Sequence, residues 1–137
     1  MHGEINLMLF IDTCYIIALM NNKARNHKQA EKISKLINNE YTIINSTVLI
    51  EMLNNLHKKR YESLRDDILD MLYDMDDIHY LTSKDYDKAL QICKNYNFSL
   101  NYSNCTILNT MIEYNVNTIV SFDDDFDKIK NINRFYL

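Results

Sequence analysis

The sequence predicts an α/β domain: a central parallel sheet of four or five strands with helices on both faces. Three observations carry this. Short apolar runs alternate with amphipathic helical stretches along the whole chain. The runs are continuous rather than alternating polar and apolar, as in strands buried on both sides. The length of 137 residues suits one domain, residues 1–137, and leaves little room for a second.

The elements follow in order. Leu7 to Ile11 is a buried strand, and a helix follows from about Thr13 to Met20. A second helix spans about Asn26 to Asn38, with Ala30, Ile33 and Ile37 on one face. "YTIIN" is the next strand, after which Ser46 is expected to cap a helix through about Lys59 carrying the stripe Val48, Leu49, Met52, Leu53 and Leu56. Tyr61 to Met75 reads as a further helix, and "IHYL" as the third strand. Thr82 or Ser83 caps a helix to about Asn95, and Ser103 is expected to cap one to Tyr114. "NTIVSF" is the fourth strand and "NRFYL" a short fifth. With no proline and Gly3 the only glycine, turns fall to asparagine and aspartate, with candidates at Asn21–Asn22, Asn38–Asn39, Asn95 to Asn97 and Asn115 to Asn117.

Composition narrows the function classes. A net charge of −4 argues against a general DNA-coating protein, although a local site on an acidic surface still binds phosphate. Cys14, Cys93 and Cys105 lack any C-x-x-C spacing and lie in apolar segments, so they read as reduced core residues. The four histidines lack metal-ligand spacing, which argues against zinc. "LMLFIDTCYIIALM" is too short for a bilayer span, and the flank "MHGEIN" lacks the positive start of a signal peptide. The expectation is a cytoplasmic protein with no membrane partner.

The acidic residues fall in a pattern. Asp12 directly follows the first strand, and Asp123 directly follows the fourth, leading the run "DDDFD". In a parallel sheet both stand at the carboxyl edge, where ligands bind. Glu51 lies in the second turn of the helix after strand two, able to lean over that edge. Asn104 falls inside the apolar arc of its helix, in the first turn, and an inward polar residue there needs a partner. Singly, each is as well explained by a cap, a turn or a solvated loop. Together they form the clustered oxygen ligands that a hard divalent cation requires. Two clusters of the opposite sign stand out, Lys23, Arg25, His27 and Lys28, and His57, Lys58, Lys59, Arg60 and Arg65. They are either solvated helix ends or contacts for a phosphate chain.

At these residues the sequence resembles the PIN domain family, especially the VapC-type ribonuclease toxins. "LFIDTCYIIAL" is similar to the family's first block with its Asp (Asp12), and "NSTVLIEML" to the second with its Glu (Glu51). "FSLNYSNCTILNTMIEYNVNTIVSFDDDFDKI" resembles the third and fourth in series; the last typically reads Ser/Thr-x-Asp-x-x-Phe, matched by Ser121, Asp123 and Phe126. One position departs: the third block usually carries an Asp where this chain has Asn104, which offers a carbonyl oxygen but no charge.

The resemblance implies a metal-dependent endoribonuclease. Asp12, Glu51 and Asp123, assisted by Asn104 and with Asp125 or Asp124 as a source of the missing charge, would hold Mg²⁺ or Mn²⁺ for phosphodiester hydrolysis. Ser121 and Thr13 either orient water or a ligand there or serve as plain strand-end caps. Lys23, Arg25, Lys58, Lys59 and Arg60 would contact RNA. A small antitoxin protein and a homodimer are the implied partners, the apolar surface of the helices between residues 26 and 75 offering a groove or a dimer face. The rival reading is a catalytically impaired PIN-like module that binds RNA or a protein. A phosphotransfer receiver would want a second acidic residue with Asp12 and an acceptor Asp where "IHYL" ends on Thr82; a haloacid-dehalogenase-type phosphatase would want Asp-x-Asp where the chain has Asp12-Thr13-Cys14.

Overall fold

A computed structural model describes residues 7–136; the readings made on Gly3, on the flank of residues 1–6 and on residue 137 lie outside it. The strands are β1 (Met8–Ile11), β2 (Tyr41–Asn45), β3 (Asp77–His79), β4 (Thr118–Val120) and β5 (Asn133–Phe135). The α-helices are α1 (Thr13–Met20), α2 (His27–Leu36), α3 (Ser46–Asn55), α4 (Arg65–Tyr73), α5 (Ser83–Asn95) and α6 (Tyr102–Glu113). Short 3-10 segments cover Lys59–Leu64 and Asp124–Lys128.

All five strands pair in parallel in the order β3-β2-β1-β4-β5. The chain therefore builds outward from β1 to β2 and β3, then crosses back to lay β4 on the other side of β1. α1 packs against α2, α5 against α6, and α3 against both α1 and α6; with crossovers of the usual right hand, the reversal of direction after β3 places the α1–α2 and α5–α6 pairs on opposite faces. The reversal between β1 and β4 is the switch point of the sheet, and its register sets Ile11 opposite Val120. Asp12 and Ser121, the next residues on each strand, thus emerge side by side.

The core explains the continuous apolar runs. Leu9, Phe10, Ile43, Ile44 and Ile119 are fully buried, facing helices on both sides. Phe126, from the 3-10 segment after Asp123, is also fully buried and anchors that acidic turn to the core. No helix among the described residues is long and apolar enough to cross a membrane.

The helix ends differ from expectation where two capping residues compete. Asn45, not Ser46, caps α3, accepting from the Val48 amide at 3.3 Å; the Ser46 hydroxyl instead accepts from Leu81 N at 2.9 Å, tying α3 to the end of β3. Asn101, not Ser103, caps α6. Thr82 caps α5 in a reciprocal capping box with Asp85. The helix expected to reach Lys59 stops at Asn55, and the one expected from Tyr61 begins as a 3-10 turn and becomes α-helical at Arg65. Arg65 explains the break: its Nε donates to the Leu56 carbonyl at 2.8 Å, serving an acceptor that the end of α3 leaves open. Left-handed backbone occurs at Asn97, Asn115 and Asn131, as an asparagine-dependent chain requires, and also at Phe98.

Candidate metal centre

Asp12 closes β1 and caps α1. Its Oδ1 accepts from the Thr13 amide at 2.8 Å, while Oδ2 accepts from the Ser121 hydroxyl at 2.7 Å and the Cys14 thiol at 3.4 Å. The carboxyl is buried, with 6% of the residue exposed. Burial pushes its pKa above the ordinary value; the three hydrogen bonds pull the other way, and the neighbouring Asp123 charge adds to the rise.

Asp123 caps the 3-10 turn that follows β4. Its Oδ1 accepts from the Asp125 amide at 3.0 Å and its backbone N–H donates to Ser121 Oγ at 2.9 Å. Ser121 therefore links both acids, donating its one proton to Asp12 and accepting from the Asp123 backbone. Asn104, in the first turn of α6, donates Nδ2 to Asp123 Oδ2 at 3.1 Å. Flipping the amide would set oxygen against oxygen, so the Asn104 carbonyl faces away from Asp123. Glu51 joins through Thr13, whose hydroxyl donates to its Oε1 at 2.7 Å.

The structure thus brings Asp12, Asp123 and Asn104 into one hydrogen-bonded group and joins Glu51 to it through the residue after Asp12. Asp125 stands beside it but pairs with Lys128 at 3.0 Å; Asp123, Asp124 and Asp125 can each bring an oxygen within 4.8 Å of the others. Ser121 and Thr13 have their hydroxyls committed to carboxylates in this arrangement. Cys14 corrects its reading as a core residue. It is half-buried within the site, 3.3 Å from Ser121 Oγ and accepting from Phe122 N at 3.2 Å. Burial and the Asp12 charge push its thiol up to about 11, so it stays protonated. Cys93 and Cys105 are buried, as expected of core thiols.

The donor set fits a hard divalent cation. Asp12, Glu51 and Asp123 offer carboxylate oxygen, the hard donor such a cation takes, and among the described residues no lysine or arginine ion-pairs with them. Gathering carboxylates at a sheet edge without a counter-charge is costly unless a cation completes them.

A second group, His79, Asp85 and Glu113, also converges within 4.8 Å, although the sequence spacing of the histidines gave no sign of it. Each of its groups already has a partner. His79 Nε2 meets Asp85 at 2.9 Å, Nδ1 meets the Tyr114 hydroxyl at 3.2 Å, and Glu113 pairs with Lys88 at 3.1 Å. Asp85 also accepts from Thr82 N and Asn109 Nδ2. This network ties β3 to α5 and α6.

Of the basic residues, Lys23 and Arg60 line one cavity of about 800 Å³; Arg25 and Lys59 are exposed and Lys58 half-buried, and none of these three lines it.

No curated protein matches the chain at a significant level. Several solved structures share its fold at low identity. VapBC2 from Rickettsia felis, bound to a DNA fragment from its promoter, is 17% identical, with 94% of this chain and 98% of that chain covered and a TM-score of 0.70. Mycobacterium tuberculosis VapC20, a sarcin–ricin-loop-cleaving toxin, is 15% identical over 88% and 93%, with a TM-score of 0.73. FitAcB from Neisseria gonorrhoeae is 13% identical over 93% and 96%, with a TM-score of 0.71. The model of the PIN domain matches residues 9–132, which takes in β4, all of β1 but Met8 and all four polar residues gathered there, and on that match the chain belongs to the PIN domain family.

Proposed function

We propose that the chain is a divalent-metal-dependent endoribonuclease of the toxin type, hydrolysing RNA phosphodiester bonds at the switch-point edge of its sheet. The observation that carries this reading is the Ser121 hydroxyl bridging the Asp12 carboxylate and the Asp123 backbone, with Asn104 on Asp123 and Glu51 held by Thr13. Asp12, Glu51 and Asp123 would hold Mg²⁺ or Mn²⁺, with Asp125 as a further oxygen donor and Asn104 assisting through its Nδ2 bond to Asp123. Bound there, the ion supplies Lewis acidity to a water nucleophile and positive charge against the phosphate.

The protein's own contribution is positional. Ser121 and the Thr13 amide fix both oxygens of Asp12, so the carboxylate needs little reorganisation on meeting a cation. Thr13 fixes Glu51 in the same way. Lys23, Arg25, Lys58, Lys59 and Arg60 serve the RNA backbone. A small antitoxin partner, a homodimer and a cytoplasmic location belong to the same reading. It is supported by the fold shared with VapBC and FitAB assemblies and with a toxin that cleaves the sarcin–ricin loop.

Asn104 favours a second reading, a weakened or inactive nuclease that binds RNA or a protein, because its amide gives Asp123 a neutral partner where the family usually has another acid. One experiment separates the two: cleavage of an RNA panel with Mg²⁺ or Mn²⁺, by wild type and by Asp12→Ala. Metal-dependent cleavage that Asp12→Ala abolishes supports the nuclease. Binding with no cleavage at any metal concentration supports the module.

A further inference from the structure

A cavity of about 800 Å³ lies away from the carboxylates. Its walls come from the end of α1, the loop into α2 and the 3-10 segment after α3. Two of its lining side chains carry positive charge, Lys23 and Arg60, and no carboxylate lines it, although the protein as a whole is acidic; His27, also in the lining, meets Glu31 at 3.4 Å. The Arg60 guanidinium lies over the ring of Tyr61, 5.6 Å from its centroid, and Tyr61 is buried against the core, so an aromatic ring stands beside the cation. Asn21 and Asn22 add neutral hydrogen-bonding groups, and the Asn21 side chain holds the turn by accepting from Lys23 N at 3.0 Å. His27 donates Nδ1–H to the Ala18 carbonyl at 2.8 Å, fixing the start of α2 against α1.

Two elements connect this cavity to the acidic edge. Asp12 caps α1 at one end and Met20 lines the cavity at the other, about 12 Å away at 1.5 Å per residue. Glu51 sits on α3, and the segment that follows α3 supplies Arg60 and Tyr61. A strand of nucleic acid crossing the acidic edge would reach the cavity within a few nucleotides.

We infer that this cavity is a nucleotide subsite of the RNA substrate, seating a residue that flanks the cleaved bond. The inference rests on the ribonuclease reading above. Lys23 and Arg60 meet the phosphates, the Arg60 plane stacks on an unpaired base, and the asparagine amides read the base edge. An acidic peptide would use the cations but has no need of a stacking plane or neutral donors, so the lining favours RNA.

The test is binding of a fluorescein-labelled single-stranded RNA 12-mer, followed by anisotropy in EDTA across a salt series. The double variant Lys23→Ala/Arg60→Ala is expected to bind about tenfold more weakly. The slope of log K against log salt should fall by about 1.4, since each single-strand phosphate deprived of its cation lowers it by about 0.7. Arg60→Lys keeps the slope yet loses affinity several-fold, because the stacking plane is gone. Lys94→Ala/Lys130→Ala removes the same charge at exposed positions outside the cavity and should change binding little. Thermal midpoints should match throughout, since Lys23 and Arg60 are exposed. If wild type binds RNA and the cavity variant binds it as tightly, or the control weakens it equally, this inference fails while the ribonuclease reading stands. Displacement of the RNA by poly-glutamate as effectively as by unlabelled RNA also overturns it. A wild type that neither binds nor cleaves any RNA overturns both.

Discussion

Asn104 Nδ2 lies 3.1 Å from Asp123 Oδ2, a neutral donor hydrogen-bonded to an acid at the sheet's switch point. This contact relieves the crowding that a fourth carboxylate would add, and it lowers the charge available to a cation. Asn104→Asp is therefore expected to reverse both effects. RNA cleavage at limiting Mg²⁺ should rise several-fold, and metal-free thermal stability should fall through the added like-charge repulsion. Cleavage rates measured across a metal titration check this; equal rates for the two proteins would remove Asn104 from the site.

Asp12→Asn tests the cation directly. Burial raises the Asp12 pKa, so at neutral pH its charge costs stability in the metal-free protein. The neutral amide should raise the melting temperature in EDTA. Saturating Mn²⁺ should stabilise wild type by roughly 2–3 kcal/mol at about a hundred times its dissociation constant, and the variant far less. Calorimetry with and without Mn²⁺ reads both effects; an equal metal-induced shift in the two proteins would place the ion elsewhere.

Ser121→Ala removes the donor shared by the two acids. The Asp12 carboxylate then keeps the Thr13 amide and the weak Cys14 thiol, and a buried acceptor loses its shortest bond. A cost of about 1–3 kcal/mol is expected, with a melting point lower by several degrees. Cleavage should drop more than binding, because the ligand geometry and not the RNA path is disturbed. Urea unfolding and a KM-against-kcat comparison measure the two parts; wild-type stability would mean that Cys14 and backbone alone suffice.

Asp85 supplies the pH dependence. Burial opposes its charge, but hydrogen bonds from Thr82 and His79 outweigh this, and its pKa lies below the ordinary 3.8. The unfolded state binds more protons than the folded one below about pH 4, so this contribution is present at neutral pH and is lost as the pH falls through the folded value. Asp85→Asn should be less stable by roughly 1–2 kcal/mol at pH 7, through the lost capping box, and the gap should close below about pH 4. Denaturant midpoints across pH measure it; a constant gap would show that the carboxylate charge contributes nothing.

Much of this architecture was legible in the chain. β1, β2 and β4 are continuous apolar runs because helices cover both faces, and Asp12 and Asp123 stand at strand ends because polar groups are tolerated where the sheet stops. Local rules failed where neighbours competed. Asn45 and Ser46 are both good caps, and the choice fell to a Ser46 contact with Leu81, which lies far along the sequence. The end of α3 was set by Arg65 reaching back to Leu56, a tertiary bond with no periodic signature. The same holds within the site. Cys14 looked like core because its apolar neighbours are core, and its tie to Ser121 forms only when β1 and β4 pair. His79, Asp85 and Tyr114, and likewise Lys23 and Arg60, meet only in three dimensions.

Both borders of the sheet, β3 and β5, are three-residue stubs. So short a rim offers few ladder bonds to a strand from another molecule, which guards the chain against edge-to-edge fibre growth. Exposed apolar side chains such as Leu36 and Ile50, on α2 and α3, leave side-chain packing as the route open to any self-association, one that point substitutions on those helices would tune without disturbing the backbone pairing beneath.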